Sequence, residues 1–244
     1  MRTILYGVGI IFLCFFLSSF ALAENVEVNG KVKINFVQGK VLVNGKEVKE
    51  GEIFFPPLSV CVMKNSRLEL LLPDNSVLRF NENSKFKLVK AVVDKEKRDI
   101  RTDLVLGECW ASVQKMLGED NKFEVSSPTA VAGVSGTKYR VVAQRDYSKF
   151  MVYDGKIKVS YRPVSEKYVP GKVLQKPHVV SGPGKISGPH KVSLKEWTTI
   201  VSKGYEFVVY SDGRFEKPRK FDLLQDKQNP WVQWNLERDK LLGM

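Results

Sequence analysis

Residues Gly133-Val134-Ser135-Gly136-Thr137 come within one residue of Gly-x-Ser-x-Gly, the turn that presents a nucleophilic serine between a strand and a helix. Asp154 and His178 follow in the order a hydrolase triad would use. That chemistry needs a base held rigidly against the serine and a helix after it to complete the sharp turn. The surrounding sequence offers neither. Thr137 stands where the second glycine belongs, and Lys-Tyr-Arg-Val-Val-Ala-Gln after it reads as a strand. The two histidines, His178 and His190, both lie in a proline- and glycine-rich stretch with nothing to orient an imidazole. Carboxylate pairs fare no better: Glu119-Asp120 and Glu237-Asp239 sit among other charges, with no apolar setting to raise a carboxyl pKa. No His-Glu-x-x-His, calcium loop or dinucleotide loop occurs, and Lys185 lacks the spacing of a phosphate loop. Cys61 and Cys109 have no Cys-x-x-Cys or histidine neighbour, so a metal site is not expected. The residues predict no enzyme, no cofactor and no metal.

The elements that carry these residues are strands. From Val26 to Val159 short apolar or alternating runs are each closed by a turn signal: KVKINFV, KVLVN, RLELLL, SVLRF, KFKLVKAVV, DLVLGECWASV, KFEVSS, KYRVVAQ, KFMVYDG and KIKVSY. Asn44-Gly45 and Asp154-Gly155 read as two-residue hairpin turns, because both residue types tolerate positive φ. The mixed-charge run 90–101 reads as a solvated edge or hairpin, without the interleaved aromatics of a nucleic-acid platform. Residues 162–192 form a Pro/Gly-rich connector with a short tandem repeat, SGPGKI then SGPHKV. Residues 193–244 form an extension in which strand character returns at 198–210. Its tail is helical: Asn229 caps, Pro230 suits the first turn and Gly243 ends it. Trp231 and Trp234 give that helix a greasy side, to dock on the β body or to meet a partner.

The N-terminus is a targeting segment. Arg2 precedes an apolar run over 4–20, and Ala21-Leu22-Ala23 supplies a cleavage site, so residues 1–23 read as a signal peptide and the protein as periplasmic. Kept uncleaved, the same run would be a membrane anchor. Loss of Arg2 takes the formal charge from +12 to +11. In an exported chain that charge suits anionic envelope polymers or an acidic partner, or simply a lysine-rich solubilising surface. An oxidising compartment permits a bridge between Cys61 and Cys109; free buried thiols are the alternative.

With catalysis set aside, the stretch from Phe123 to Val141 is architecture. Pro128 and Thr129 start a turn, Gly133 and Gly136 supply backbone freedom, and Thr137 opens a strand. The pattern F-x-V-x-x-P-T-A-V-A-G-V-x-G-T-x-Y-x-V closely resembles the signature of the FecR domain family. KVLVNGKEVKEGEIF, the section from Asn65 to Leu88, DLVLGECWASV and FMVYDGKIKV fit the same family in order, over about residues 36–160. Departures are Asn75 in place of a usual glycine and the Phe55-Pro56-Pro57 turn. The resemblance implies an all-β fold, a twisted solenoid-like stack of short strands over residues 24–161. It also implies an envelope location. Well-known members are the periplasmic part of a sigma-factor regulator, behind a cytoplasmic anti-sigma segment and a membrane helix. Here the domain follows a signal peptide directly, so the expected role is a stand-alone, non-catalytic interaction module for an envelope protein. The alternative is binding of peptidoglycan or another anionic glycan, which a basic stripe aligned across the strands would favour. No nucleic-acid partner is expected.

Overall fold

Alternating Val, Leu, Ile and Phe against polar residues can bury one side of a pleated strand, and here two sheets do so against each other. The computed structural model describes residues 30–94, 97–116, 121–162 and 198–244. The stretch expected to be a signal peptide, the expected connector and its two histidines lie outside them.

The first strands are β1 (Val32–Gln38), β2 (Val41–Val43), β3 (Lys46–Glu47), β4 (Ile53–Phe54), β5 (Leu58–Val62), β6 (Arg67–Leu71) and β7 (Val77–Phe80). Next come β8 (Lys85–Val93), β9 (Arg98–Ser112), β10 (Lys122–Ser126), β11 (Ala130–Val134), β12 (Lys138–Ala143), β13 (Tyr147–Asp154) and β14 (Lys156–Tyr161). The extension adds β15 (Thr198–Ser202), β16 (Tyr205–Tyr210), β17 (Arg219–Lys220), α1 (Leu223–Asp226) and α2 (Pro230–Leu241).

Hydrogen bonding sorts these into a front sheet, ordered β4-β1-β6-β7-β9-β12-β13-β16-β17, and a back sheet, ordered β3-β2-β5-β8-β9-β10-β11-β14-β15. The chain alternates between the sheets, mostly entering each with two strands at a time, which is the solenoid-like winding that the family resemblance implies. Strand β9 belongs to both. Its first half pairs with β8 and, in parallel, with β10; its second half pairs with β7 and β12. The step between them falls at Gly107, with φ +100°, where an added Cβ would lie 2.6 Å from the Ser84 Cα. Side chain and backbone alike are excluded there, so glycine is required.

The core lies between the sheets. Ile34, Leu70, Phe80, Cys109, Val141, Phe150 and Phe207 from the front meet Val60, Phe86, Ile100, Phe123 and Val159 from the back, all nearly or wholly excluded from solvent. Phe80 and Phe86 stack at 3.5 Å between centroids. Among the described residues, no helix is long and apolar enough to cross a membrane.

Several expectations are adjusted. Asn44 and Gly45 both have positive φ and close the β2–β3 hairpin. Asp154-Gly155 does not close a hairpin, because β13 lies in the front sheet and β14 in the back; it is a corner between layers. Strands β8 and β9, which flank the middle of the 90–101 run, pair with each other and Asp94 N–H bonds to the Lys97 carbonyl, but Arg98, Asp99 and Ile100 are buried where a solvated run was expected. The bridge considered between Cys61 and Cys109 is not formed; both are free thiols. Cys61 alternates with buried Leu58, Val60 and Val62 and so faces outward from the back sheet, whereas Cys109 points into the core. One face of a sheet separates them. Burial, helped by the charge of Glu108, pushes the Cys109 thiol far above its ordinary pKa.

Candidate functional site

The serine motif is a corner. Strand β11 is in the back sheet and β12 in the front, so Ser135-Gly136-Thr137 carries the chain from one layer to the other, beside the Asp154-Gly155 corner that carries it back. Thr137 Oγ1 donates to the Lys156 carbonyl at 2.9 Å, tying the two corners together. A Cβ on Gly155 would come within 2.8 Å of the Gly136 carbonyl oxygen, and one on Gly136, whose φ is +63°, within 2.9 Å of the Lys115 Cβ. Gly133 is different. Its φ is ordinary and a Cβ would meet nothing nearer than 3.9 Å, so the freedom expected of it is not used. Pro128 and Thr129 make the β10–β11 turn, and Thr129 Oγ1 donates to the Val209 carbonyl at 3.1 Å. Ser135 Oγ is exposed and donates to the Met116 carbonyl at 3.4 Å. Among the described residues, no group of three His, Cys, Asp or Glu could hold a metal.

The unusual chemistry lies elsewhere, on the outer face of the front sheet. Register aligns Glu69, Arg79, Trp110, Arg140, Met151, Glu206 and Arg219 in one row across seven strands. An outward row of a sheet is ordinarily solvated, yet Glu69, Arg79 and Trp110 are fully buried and Arg140 nearly so. The segment carrying α1 and α2 covers them. Trp231 and Val232 pack on Trp110, Met151 and Tyr153, with Phe221, Leu223, Trp234 and Leu236 at the margin. Helix α2 begins as expected, Asn229 accepting from the Trp231 N–H at 2.9 Å, with Pro230 in the first turn. Trp231 is only 3% exposed and Trp234 is half-buried, and both pack against the β body.

Two ionic triads hold the cover. In the first, Arg79 lies between Glu69 on the neighbouring strand, 2.5 Å from Nε, and Asp239 of α2, 2.6 Å from Nη1. Asp239 also accepts from Ser112 Oγ at 2.8 Å, and Ser112 accepts from Trp110 Nε1 at 3.0 Å. Arg238 of α2 adds a two-pronged contact to Glu69, at 2.5 and 3.1 Å. In the second triad, Arg140 is paired with Glu108 on the neighbouring strand and, at 3.1 Å, with Asp226 of α1. Tyr153 O–H donates to the same Asp226 at 2.5 Å. Burial pushes the Glu69 carboxyl up, but the hydrogen bonds from Arg238, Arg79 and Asn35 and the charge of Arg79 outweigh it and leave the group below its ordinary 4.5.

The back sheet tests for a basic stripe. Its outward row reads Lys90, Arg101, Glu124, Gly133, Lys158, and the bases are interleaved with acids. Asp99 takes Lys90 at 2.7 Å and Arg101 at 2.8 Å, and Arg162 pairs with Asp103 at 3.3 Å. This is a mixed, self-neutralising surface, and glycan binding finds no support in it.

Residues 59–158, from β5 through the closing strands β13 and β14, match the family model described as FecR protein. The chain carries a FecR domain. The match holds the cores of both sheets and both corners, while the arm formed by α1 and α2 lies beyond it. A search of curated proteins finds no match. Two crystal structures of a candidate anti-sigma factor from Parabacteroides distasonis ATCC 8503, at 1.65 and 2.50 Å resolution, are similar to this chain. Both give a TM-score of 0.48, with 17% and 15% identity over 72% and 70% of this chain. The chain spans 64% of the length of each.

None of the row residues stood out in the sequence. Glu69 within RLELL and Arg79 within VLRF alternate as the outward residues of a strand do. The available signal was a charged residue set between apolar neighbours in each of two strands, Glu69 in RLELL and Arg79 in VLRF.

Proposed function

We propose that this protein is an exported, non-catalytic regulatory module of envelope signalling that works by binding another envelope protein. The observation that carries the reading is the FecR match over residues 59–158. Support comes from the serine corner, where the nearest features of a reaction centre are used as architecture. The location proposed is the periplasm, reached by cleavage after Ala23, and a mature N-terminus at Glu24 is the mass-spectrometric signature expected. An adaptor of this kind needs a face with an apolar centre and charged surroundings, so its complex should persist in salt that screens surface charge. The test is cross-linking of tagged protein in cells, followed by capture and mass spectrometry. One enriched envelope protein, retained in high salt, is the expected result. Recovery of sacculus fragments alone, lost in salt, would overturn it in favour of a glycan-binding role.

A further inference from the structure

The two triads share one design. In each, an arginine of the front sheet takes one carboxylate from a neighbouring strand, Glu69 or Glu108, and a second from the arm of residues 221–244, Asp239 or Asp226. The arginines flank Trp110 in a single row, so the arm closes on an Arg-Trp-Arg surface with two acidic prongs. We propose that this arm is a displaceable, built-in competitor, and that the surface beneath it is a docking site for a partner segment presenting two carboxylates about an apolar centre.

Four observations point this way. A permanently covered face gains little from ions, because desolvation offsets their attraction and apolar packing serves as well. The same face would be costly to uncover if it left lone charges, but Arg79 and Arg140 each keep an in-sheet carboxylate when the arm lifts. Uncovering therefore returns paired ions to water. The arm interface is also imperfectly satisfied: Trp231 Nε1, Asn235 Oδ1 and Arg79 Nη2 are buried without a hydrogen-bond partner among the described residues. Such a region opens more easily than a saturated core. Past the Glu108–Arg140 pair the surface continues into a hollow of about 270 Å³ lined by Glu108, Val142, Gln144 and Asn83, which leaves room for a longer segment than the arm itself.

The existence of a partner rests on the signalling reading above, but the docking site can be tested without one. The probe is a labelled peptide of residues 221–244, titrated by fluorescence anisotropy against the full chain and against the full chain carrying Asp226→Asn and Asp239→Asn. Loosening the resident arm raises the fraction of open sites, so the variant should bind the peptide at least about tenfold more tightly than the unaltered chain. Equal affinity would overturn the proposal. A second titration needs no altered protein: the unaltered chain should bind the peptide at concentrations up to about 1 mM, and a peptide with asparagine at both positions at least about tenfold more weakly. No binding, or equal binding of the two peptides, would overturn the docking site while leaving the cell-capture result to judge the signalling role.

Discussion

Ser135 and its neighbours show how one residue pattern can serve two chemistries. A Gly-x-Ser-x-Gly-like run needs small residues because a chain turns sharply, and a corner between two sheets imposes the same demand. Ser135→Ala should leave partner binding and thermal stability unchanged. Gly136→Val should destabilise the fold by at least about 1–2 kcal/mol, since φ is +63° there and the Lys115 side chain occupies the space. Denaturant titration of both variants checks the pair, and equal losses would return Ser135 to consideration. The cysteines give a second prediction at this scale. In the folded protein a thiol reagent should modify Cys61 at once and Cys109 only on unfolding, because the former is outward and the latter is buried with a strongly raised pKa. Two unreactive sulfurs that become reactive on reduction would instead reveal a bridge.

At the scale of elements, most of the strands were legible, and the reason is periodicity. KFKLVKAVV is β8 residue for residue, and the Asn-Pro start of α2 follows from capping chemistry alone. What stayed hidden was partnership. The Gly-x-Ser segment contains a strand of its own, β11, whose Ala-Val-Ala-Gly-Val composition is too small to announce one. LSVCV became β5 only because the Phe55-Pro56-Pro57 turn delivers it to β2 and β8. Asp154-Gly155 has hairpin chemistry but joins two layers, since pairing with β12 and β11 is decided far away in sequence. The candidate site was hidden for the same reason: seven residues from seven strands form a row only once register is known. The hold of α2 on that row is apolar at Trp231 and Val232 and ionic at Arg238 and Asp239, and the ionic part makes it sensitive to acid. Glu69 has a folded pKa below 4.5, so its contribution is fully present above about pH 4.5 and is lost as pH falls through the lower folded value. Arginine side chains are charged throughout this range, so the step belongs to the carboxylate. Tryptophan fluorescence should therefore report an acid step in the arm that is absent from Glu69→Gln, a variant expected to be about 3 kcal/mol less stable at neutral pH. An identical acid step in both proteins would place the sensitivity elsewhere.

The whole molecule divides into a β body closed by an apolar core and an arm clasped by charge. The FecR match covers the centre of the body, residues 59–158, whereas the arm lies outside it and closes a face where two arginines flank a tryptophan. A regulatory module needs a surface that can be given and withheld, and this division supplies one without any motion in the body. The most direct measurement is native-state hydrogen exchange of the unaltered protein, comparing amides of α2 with those of β7 and β12. The arm should open independently, with Val232 to Leu241 exchanging through an event several kcal/mol less costly than the one that exposes Phe80 or Val141. Exchange of α2 only through global unfolding, at the same free energy as the core strands, would contradict the account.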